Sequence, residues 1–168
     1  YGVPRSKSIQ TTPAHQLALA AVYYSPLQYM YWYDKPSDSQ DEPELKFFDD
    51  VYTTWDDTKV LQGEVGEFIT IARRKGEEWF IGSITNNEKR VLSVSLDFLP
   101  EGKNYIAEIY TDGDKSVKTR TKVRVSTYRV SNKTKLNFCL KASGGAAVRL
   151  VPDDGNIKSV KNYKQQRL

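Results

Sequence analysis

Hydrophobic and polar positions divide the chain into one apolar helical stretch and a long run of short alternating segments. Residues 11–31, TTPAHQLALAAVYYSPLQYMY, carry apolar side chains at helical spacing. Leu17, Ala20, Ala21, Tyr24, Leu27, Gln28 and Tyr31 fall near one stripe, and Leu19, Val22 and Tyr23 widen it, which predicts a long helix buried on more than one side. Thr12 suits the N-cap and Pro13 the first helical position, where a missing N–H costs nothing. Pro26 removes a donor and crowds the carbonyl four residues earlier, so a kink is expected near Val22–Tyr23. The polar stretch 1–11 reads as a loop. Residues 34–43, DKPSDSQDEP, have no apolar side chain and read as a linker.

Beyond the linker, PELKFFDDVY is a short amphipathic piece whose Leu45, Phe47 and Phe48 can pack on a neighbour. TTWDDTKVLQGEVG is expected to be a loop leading into the sheet region. Phe68–Arg73 and Trp79–Ile84 then flank a turn with Gly76 free to take positive φ. Leu92, Val94, Leu96 and Phe98 alternate with polar residues, as do Leu136, Phe138 and Leu140. Val123, Val125 and Thr127 alternate with Arg124, Ser126 and Tyr128. Tyr105–Tyr110 precedes a TDGD turn, and Ala146–Val151 comes after the pair Gly144–Gly145. About seven short strands at this beat, with no helix between them, predict a mainly β fold: an antiparallel β-sandwich preceded by one helix.

Charge changes this picture little. The 25 basic and 21 acidic residues give a formal +4, and Lys and Arg alternate with Asp and Glu instead of gathering on one face. That pattern argues against a nucleic-acid partner, which needs segregated positive charge. No stretch reaches the roughly 18 apolar residues of a membrane span. The lone Cys139, between Phe138 and Leu140 with no histidine nearby, is expected to be a small core residue.

Candidate chemistry is sparse. His15, the single histidine, has no Cys, His or carboxylate close in sequence and reads as a packed helix residue. The carboxylate pairs Asp49–Asp50, Asp56–Asp57 and Asp112–Asp114 could serve glycoside chemistry only if they faced one another across a cleft, and adjacent residues point apart. TDGD is shorter than a calcium loop and lacks its distal glutamate, so it reads as a turn. In WDDTK the tryptophan is expected to pack and the aspartates to cap backbone N–H groups. Trp79 reads as core. Tyr23, Tyr24, Tyr29, Tyr31, Trp32 and Tyr33 bunch at the end of the helix, which suits a domain interface better than a ligand platform. Asn132–Thr134 forms a glycosylation sequon that carries information only in a eukaryotic secretory context. SGG at 143–145 lacks the strand-to-helix setting of a phosphate loop.

TTPAHQLALAAVYYSPLQ, FFDDVYTTWDDTKVLQGEVGEFITIARRKGEEWFIGSITN, LDFLPEGKNYIAEIYTDGD and SGGAAVRL, in that order, resemble the C-terminal third of glycoside hydrolase family 97, bacterial α-glucosidases and α-galactosidases. The resemblance implies a parent with an N-terminal sandwich, a catalytic (β/α)8 barrel and a C-terminal sandwich. On it, residues 1–33 are the last βα loop and helix of the barrel, and residues 34–59 a linker with a short helix. Residues 60–151 are the C-terminal β-sandwich, and 152–168 a basic tail outside the resemblance, expected to be an addition or unstructured. The chain opens at Tyr1 inside a loop and is expected to be a C-terminal piece, inactive by itself, with the sandwich bracing the barrel. The family's catalytic carboxylates and calcium-binding glutamates belong to earlier segments, so no catalytic, cofactor-binding or metal residue is expected here, and calcium belongs to the parent. The resemblance also implies a bacterial periplasmic or secreted setting and an oligosaccharide substrate reached through the barrel. It leaves glucose or galactose, and inversion or retention, open. Without its barrel the helix must bury its stripe on the sandwich or on a second copy. The alternative reading is a carbohydrate-binding sandwich that uses exposed aromatics.

Overall fold

The hairpin predicted around Gly76 is the centre from which the sheet grows. In the computed structural model, which describes residues 10–28, 37, 42–156 and 159–164, eight strands form. They are β1 (Asp57–Glu64), β2 (Phe68–Lys75), β3 (Glu78–Thr85), β4 (Arg90–Ser95), β5 (Asn104–Asp112), β6 (Val123–Ser131), β7 (Lys135–Leu140) and β8 (Gly145–Pro152). Six make one antiparallel sheet in the order β1-β2-β3-β8-β5-β6, and β4 pairs with β7 in a second, two-stranded sheet. The turn between β2 and β3 holds Gly76 at φ +58°, a backbone conformation that glycine adopts without strain.

Period-two alternation decides what each face does. Ala72, Trp79, Ile81, Ala107, Ile109, Val148 and Leu150 point inward and meet Leu92, Val94, Leu136, Phe138 and Leu140 of the small sheet. The outer face of the six-stranded sheet is also apolar along its middle. Phe80, Tyr110, Val123 and Ala147 form a second cluster with Ala14, Leu17, Ala18, Ala20 and Ala21 of helix α1 (Pro13–Val22) and with Phe47 of helix α2 (Lys46–Asp50). The molecule therefore has three layers: small sheet, large sheet, helices. Phe47 meets Phe80 and Tyr110 edge-on, with ring centroids at 5.9 and 5.3 Å. Arg149, on the outer face of β8, pins α2 by reaching Asp50 at 2.8 Å while its Nε reaches Glu78 at 2.8 Å.

Several expectations change. The apolar helix is not kinked at Val22–Tyr23 but ends there: Tyr23 is extended, at φ −76° and ψ 132°. Pro26 denies the chain a continuing hydrogen bond to Val22 and pushes Ser25 out of the helical region. The segment expected as a loop around Lys59 is strand β1, paired along β2 from Asp57↔Arg74 to Glu64↔Phe68 with an irregularity between Val60 and Gln62. Cys139 is exposed, because Leu136, Phe138 and Leu140 already take the inward positions of β7. In β6 the inward face carries Tyr128 and Val130, whereas Val125 lies outward and 38% exposed.

Within the tail, Asn162 bridges Arg129 of β6 in parallel, so the part described is packed and not free chain. Residues 1–9, Tyr29, Tyr31, Trp32, Tyr33 and most of the expected linker lie outside the described residues. No described helix is long and apolar enough to cross a membrane.

Candidate docking surface

Close approach of α1 to the sheet starts from small residues on both sides. Ala14, Ala18 and Ala21 line the helix face, and the sheet offers Gly82, Gly145 and Ala147. A Cβ on Gly82 would sit 2.5 Å from the Ala18 carbonyl oxygen and 2.9 Å from Val22 Cγ2. On Gly145 it would meet His15 Cα at 2.6 Å. Gly82 pairs with Ala147, so the helix rests in a trough two strands wide.

Both helix ends are tied to the sheet. At the N-terminus Thr12 Oγ1 accepts from the His15 N–H at 3.2 Å, and the Thr12 N–H donates to the Ser143 carbonyl at 3.0 Å. His15 Nδ1 lies 3.1 Å from the Gly144 carbonyl, so that nitrogen carries the proton and donates. Burial holds the imidazole below its ordinary pKa, although the Gly144 carbonyl and Asp112 act the other way. The loop is steadied in turn by Asp112 Oδ2, which accepts from Lys141 N at 2.9 Å and Gly145 N at 3.2 Å.

At the C-terminus the orphan carbonyls of the last turn are met by a buried arginine. Arg73 of β2 donates from Nε to the Ala21 carbonyl at 2.5 Å, from Nη2 to Val22 at 2.9 Å and from Nη1 to Thr58 Oγ1 at 2.8 Å. A guanidinium there satisfies the acceptors and complements the negative end of the helix dipole. Gln28 folds back so that its Nε2 donates to the Ala20 carbonyl at 3.0 Å.

Just past the end of α1 the surface is apolar and uncovered. Tyr23, Tyr24 and Leu27 are 62, 69 and 86% exposed, and Val60 of the edge strand β1 is 67% exposed. Val60 pairs with Ile71 and Ile71 with Gly82, which puts Val60 on the same face of the sheet as α1. Arg73 lies 5.2 Å from the Tyr24 ring centroid. These residues make a patch at the open end of the helix layer, of the kind that marks an interaction site.

The carboxylates do not assemble into a reaction centre. Asp50 is held by Arg149, and Asp49 is exposed. Asp56 caps the β2–β3 turn by accepting from Gly76 N at 2.8 Å, and that bond with Lys75 beside it lowers its pKa. Asp57 Oδ1 accepts from Thr58 N at 2.8 Å. Asp114 accepts from Ser116 Oγ at 2.6 Å and from Ser116 N at 2.8 Å, which lowers its pKa and caps the turn at 115–116. Of TDGD, Thr111 and Asp112 are the last paired residues of β5, so the turn comes later than its sequence predicts. The Glu44 carboxyl is raised above its ordinary value by burial. It is 0% exposed, with Oε1 bonded by Thr121 Oγ1 and Oε2 unpartnered, so no substrate can reach it. Among the described residues no group of three or more His, Cys, Asp or Glu side chains is placed to hold a metal ion.

A family model described as the glycosyl-hydrolase 97 C-terminal, oligomerisation domain matches residues 54–151, the span that contains nearly all of the eight strands. The chain belongs to glycoside hydrolase family 97. It is 34% identical over 151 residues to a retaining alpha-galactosidase of Bacteroides thetaiotaomicron, a match that covers 89% of this chain and 22% of that protein. A family 97 enzyme of Pseudoalteromonas sp. strain K8, solved in complex with acarbose, superposes with a TM-score of 0.78 at 37% identity, over 86% of this chain and 23% of its own. A beta-arabinopyranosidase shares the fold at 23% identity and TM-score 0.68. The chain thus spans under a quarter of the length of these relatives. The whole-protein alignments run well beyond residues 54–151, whereas the family model is confined to them.

Sequence reasoning missed the residues that build this surface. In the sequence Arg73 is only the end of a predicted strand, and it is the pairing that sets it opposite Phe80, in the cluster under α1, that makes it a helix cap. Gly82 carried a signal, being a glycine in mid-strand without a turn, which marks close backbone approach. Glu44 had none beyond its place among apolar neighbours.

Proposed function

We propose that this chain is the C-terminal, non-catalytic part of a bacterial α-glycoside hydrolase and that its sandwich braces the catalytic barrel. One observation carries the reading: α1 is tied to the sheet at both ends, yet an apolar patch of Tyr23, Tyr24, Leu27 and Val60 is left at its open end. A free-standing accessory domain has no need of such a patch, whereas a unit that supports a preceding domain does. The name of the curated relative, a retaining alpha-galactosidase, supplies the chemistry, cleavage of α-linked sugars, and the share of each relative that this chain spans leaves room for a catalytic domain. In this reading residues 1–33 are the barrel's last loop and helix, and the barrel or a second copy is the partner.

In the same reading the calcium belongs to the parent's earlier segments; here Asp56 caps a turn, Asp114 is bonded by Ser116 and Asp50 is paired with Arg149, so these carboxylates do not converge on a calcium site. A periplasmic or secreted setting goes with the same reading. The test is hydrolysis of p-nitrophenyl α-glucoside and α-galactoside by the 168-residue chain, with and without calcium. No turnover above the buffer rate is expected in either condition. Turnover that survives repurification would put the chemistry inside this chain and overturn the proposal.

A further inference from the structure

Strand edges are the second place where the molecule offers backbone groups to a partner. β6 is the last strand of the large sheet, and β7 has only β4 as a neighbour in the small one. The side of the sandwich between them therefore presents two backbone edges, each able to take another strand. The tail fills that side. Arg129 N donates to the Lys161 carbonyl at 2.9 Å, and Tyr163 N donates to the Arg129 carbonyl at 2.9 Å, a parallel addition to β6. The Tyr163 hydroxyl then accepts from the Asn137 N–H of β7 at 3.0 Å. Its ring stands edge-on to Tyr128, centroids 5.3 Å apart.

One residue thus joins the two sheets across their open side, while Lys161, Asn162 and Lys164 beside it are exposed. The groove asks for an extended backbone and one tyrosine and little else, which is the economy of strand addition: backbone bonds give affinity and a single side-chain slot gives register. The tail reaches the groove through a connection folded on itself. Asp153 is bonded by Arg129, Gly155 N donates to Asp153 Oδ1 at 3.0 Å, and Gly155 takes φ +79°. The tail also lies beyond the residues that the family model matches.

We propose that the β6–β7 groove is a strand-accepting site whose second occupant is the 159–164 segment of another copy of this chain, taken up when the chain's own tail is displaced. The second copy is the occupant because its tail already has the one feature that the groove selects, Tyr163 in register with Arg129 and Asn137. Tethering keeps the tail at high local concentration, so the site is filled within one chain at ordinary dilution. Exchange between copies is then a low-cost route to dimers.

The test uses the full chain with Tyr163→Ala, which leaves both hydrophobic clusters intact apart from a peripheral contact. The probe is a fluorescein-labelled peptide of residues 157–168, read by polarisation. It is expected to bind the Y163A chain at least about tenfold more tightly than the unaltered chain, a ratio of the size that one ring contact and one hydrogen bond supply. The same peptide carrying Y163A should lose that binding. Equal affinity for both chains, or no binding to either, would overturn the proposal. Independently, amide exchange at Asn137 of the unaltered chain should quicken on adding excess Y163A chain, whose groove takes up the tail, while Tyr163 N–H stays protected by the Arg129 carbonyl of its new host. Unchanged exchange would count equally against it.

Discussion

Gly82→Ala tests the packing of α1 with a single methyl. The new Cβ would lie 2.5 Å from the Ala18 carbonyl oxygen and 2.9 Å from Val22 Cγ2. The nearer obstacle is helix backbone, which no rotamer change can clear, so the helix must lift by roughly an ångström to restore ordinary contact. Lifting it stretches the bonds from Arg73 to the Ala21 and Val22 carbonyls, now 2.5 and 2.9 Å. Against this, alanine in place of a mid-strand glycine recovers about 0.5–1 kcal/mol of chain entropy. Overpacking costs about 1–3 kcal/mol, and the upper half applies where backbone is struck. A net loss of about 2 kcal/mol is expected, or a fall in Tm of roughly 4–8 °C for a chain of this size. Thermal unfolding followed by far-UV circular dichroism reads it directly. Val22→Ala in the same chain should not restore the Tm, since it relieves only the farther contact. An unchanged or higher Tm for Gly82→Ala would refute the close docking of α1 on β3.

The same contacts lead to other expectations. Arg73→Met keeps the stem's packing and removes the helix cap; with two carbonyls and Thr58 left without their donor, a loss of about 3 kcal/mol is expected in urea unfolding. Arg73→Lys should cost less than Met but more than nothing, since one ammonium cannot span three acceptors held by a planar fork. Glu44 has a folded pKa raised by burial, so its contribution is full below its unfolded value and is lost as pH rises through the folded one. Glu44→Gln should therefore be more stable than the unaltered chain at pH 8, by about 1–2 kcal/mol, and the gap should close towards pH 4.5. His15 has a folded pKa lowered by burial, the opposite case: its contribution is present above pH 6.5 and is lost as pH falls from there towards the folded value. Tm measured from pH 7.5 down to 5.5 should drop, and His15→Gln should flatten that drop while lowering Tm at pH 7.5.

Much of this architecture was legible in the amino-acid pattern, for a physical reason. The small sheet has one wet face, so Leu92, Val94, Leu136, Phe138 and Leu140 announce their strands by strict alternation. β1 was not legible, because an edge strand needs little apolar content, and the segment around Val60 and Gln62 breaks its alternation at the register irregularity. The outer cluster was only half visible. Phe47, Phe48 and the alanines of α1 signal burial, but nothing in Phe80 or Tyr110 says that the sheet is dry on both faces. Cys139 and Val125 show the limit of reading polarity alone: each is apolar and each points outward, because strand register and not residue type assigns the face. The docking surface required tertiary knowledge, since Arg73 and Gly82 acquire their roles from a helix more than fifty residues earlier in the chain.

That helix is where the assignment stands or falls. Amide hydrogen exchange on the 168-residue chain, resolved over Leu17–Val22, measures whether α1 belongs to the C-terminal unit or only precedes it. Bound at both ends and buried on the sheet, its amides should open only with the global unfolding that frees Ile81 and Val148, and so exchange as slowly as theirs. Exchange of Leu17–Val22 at the rate of an isolated ten-residue peptide, with β3 and β8 still protected, would show that α1 is not part of this unit.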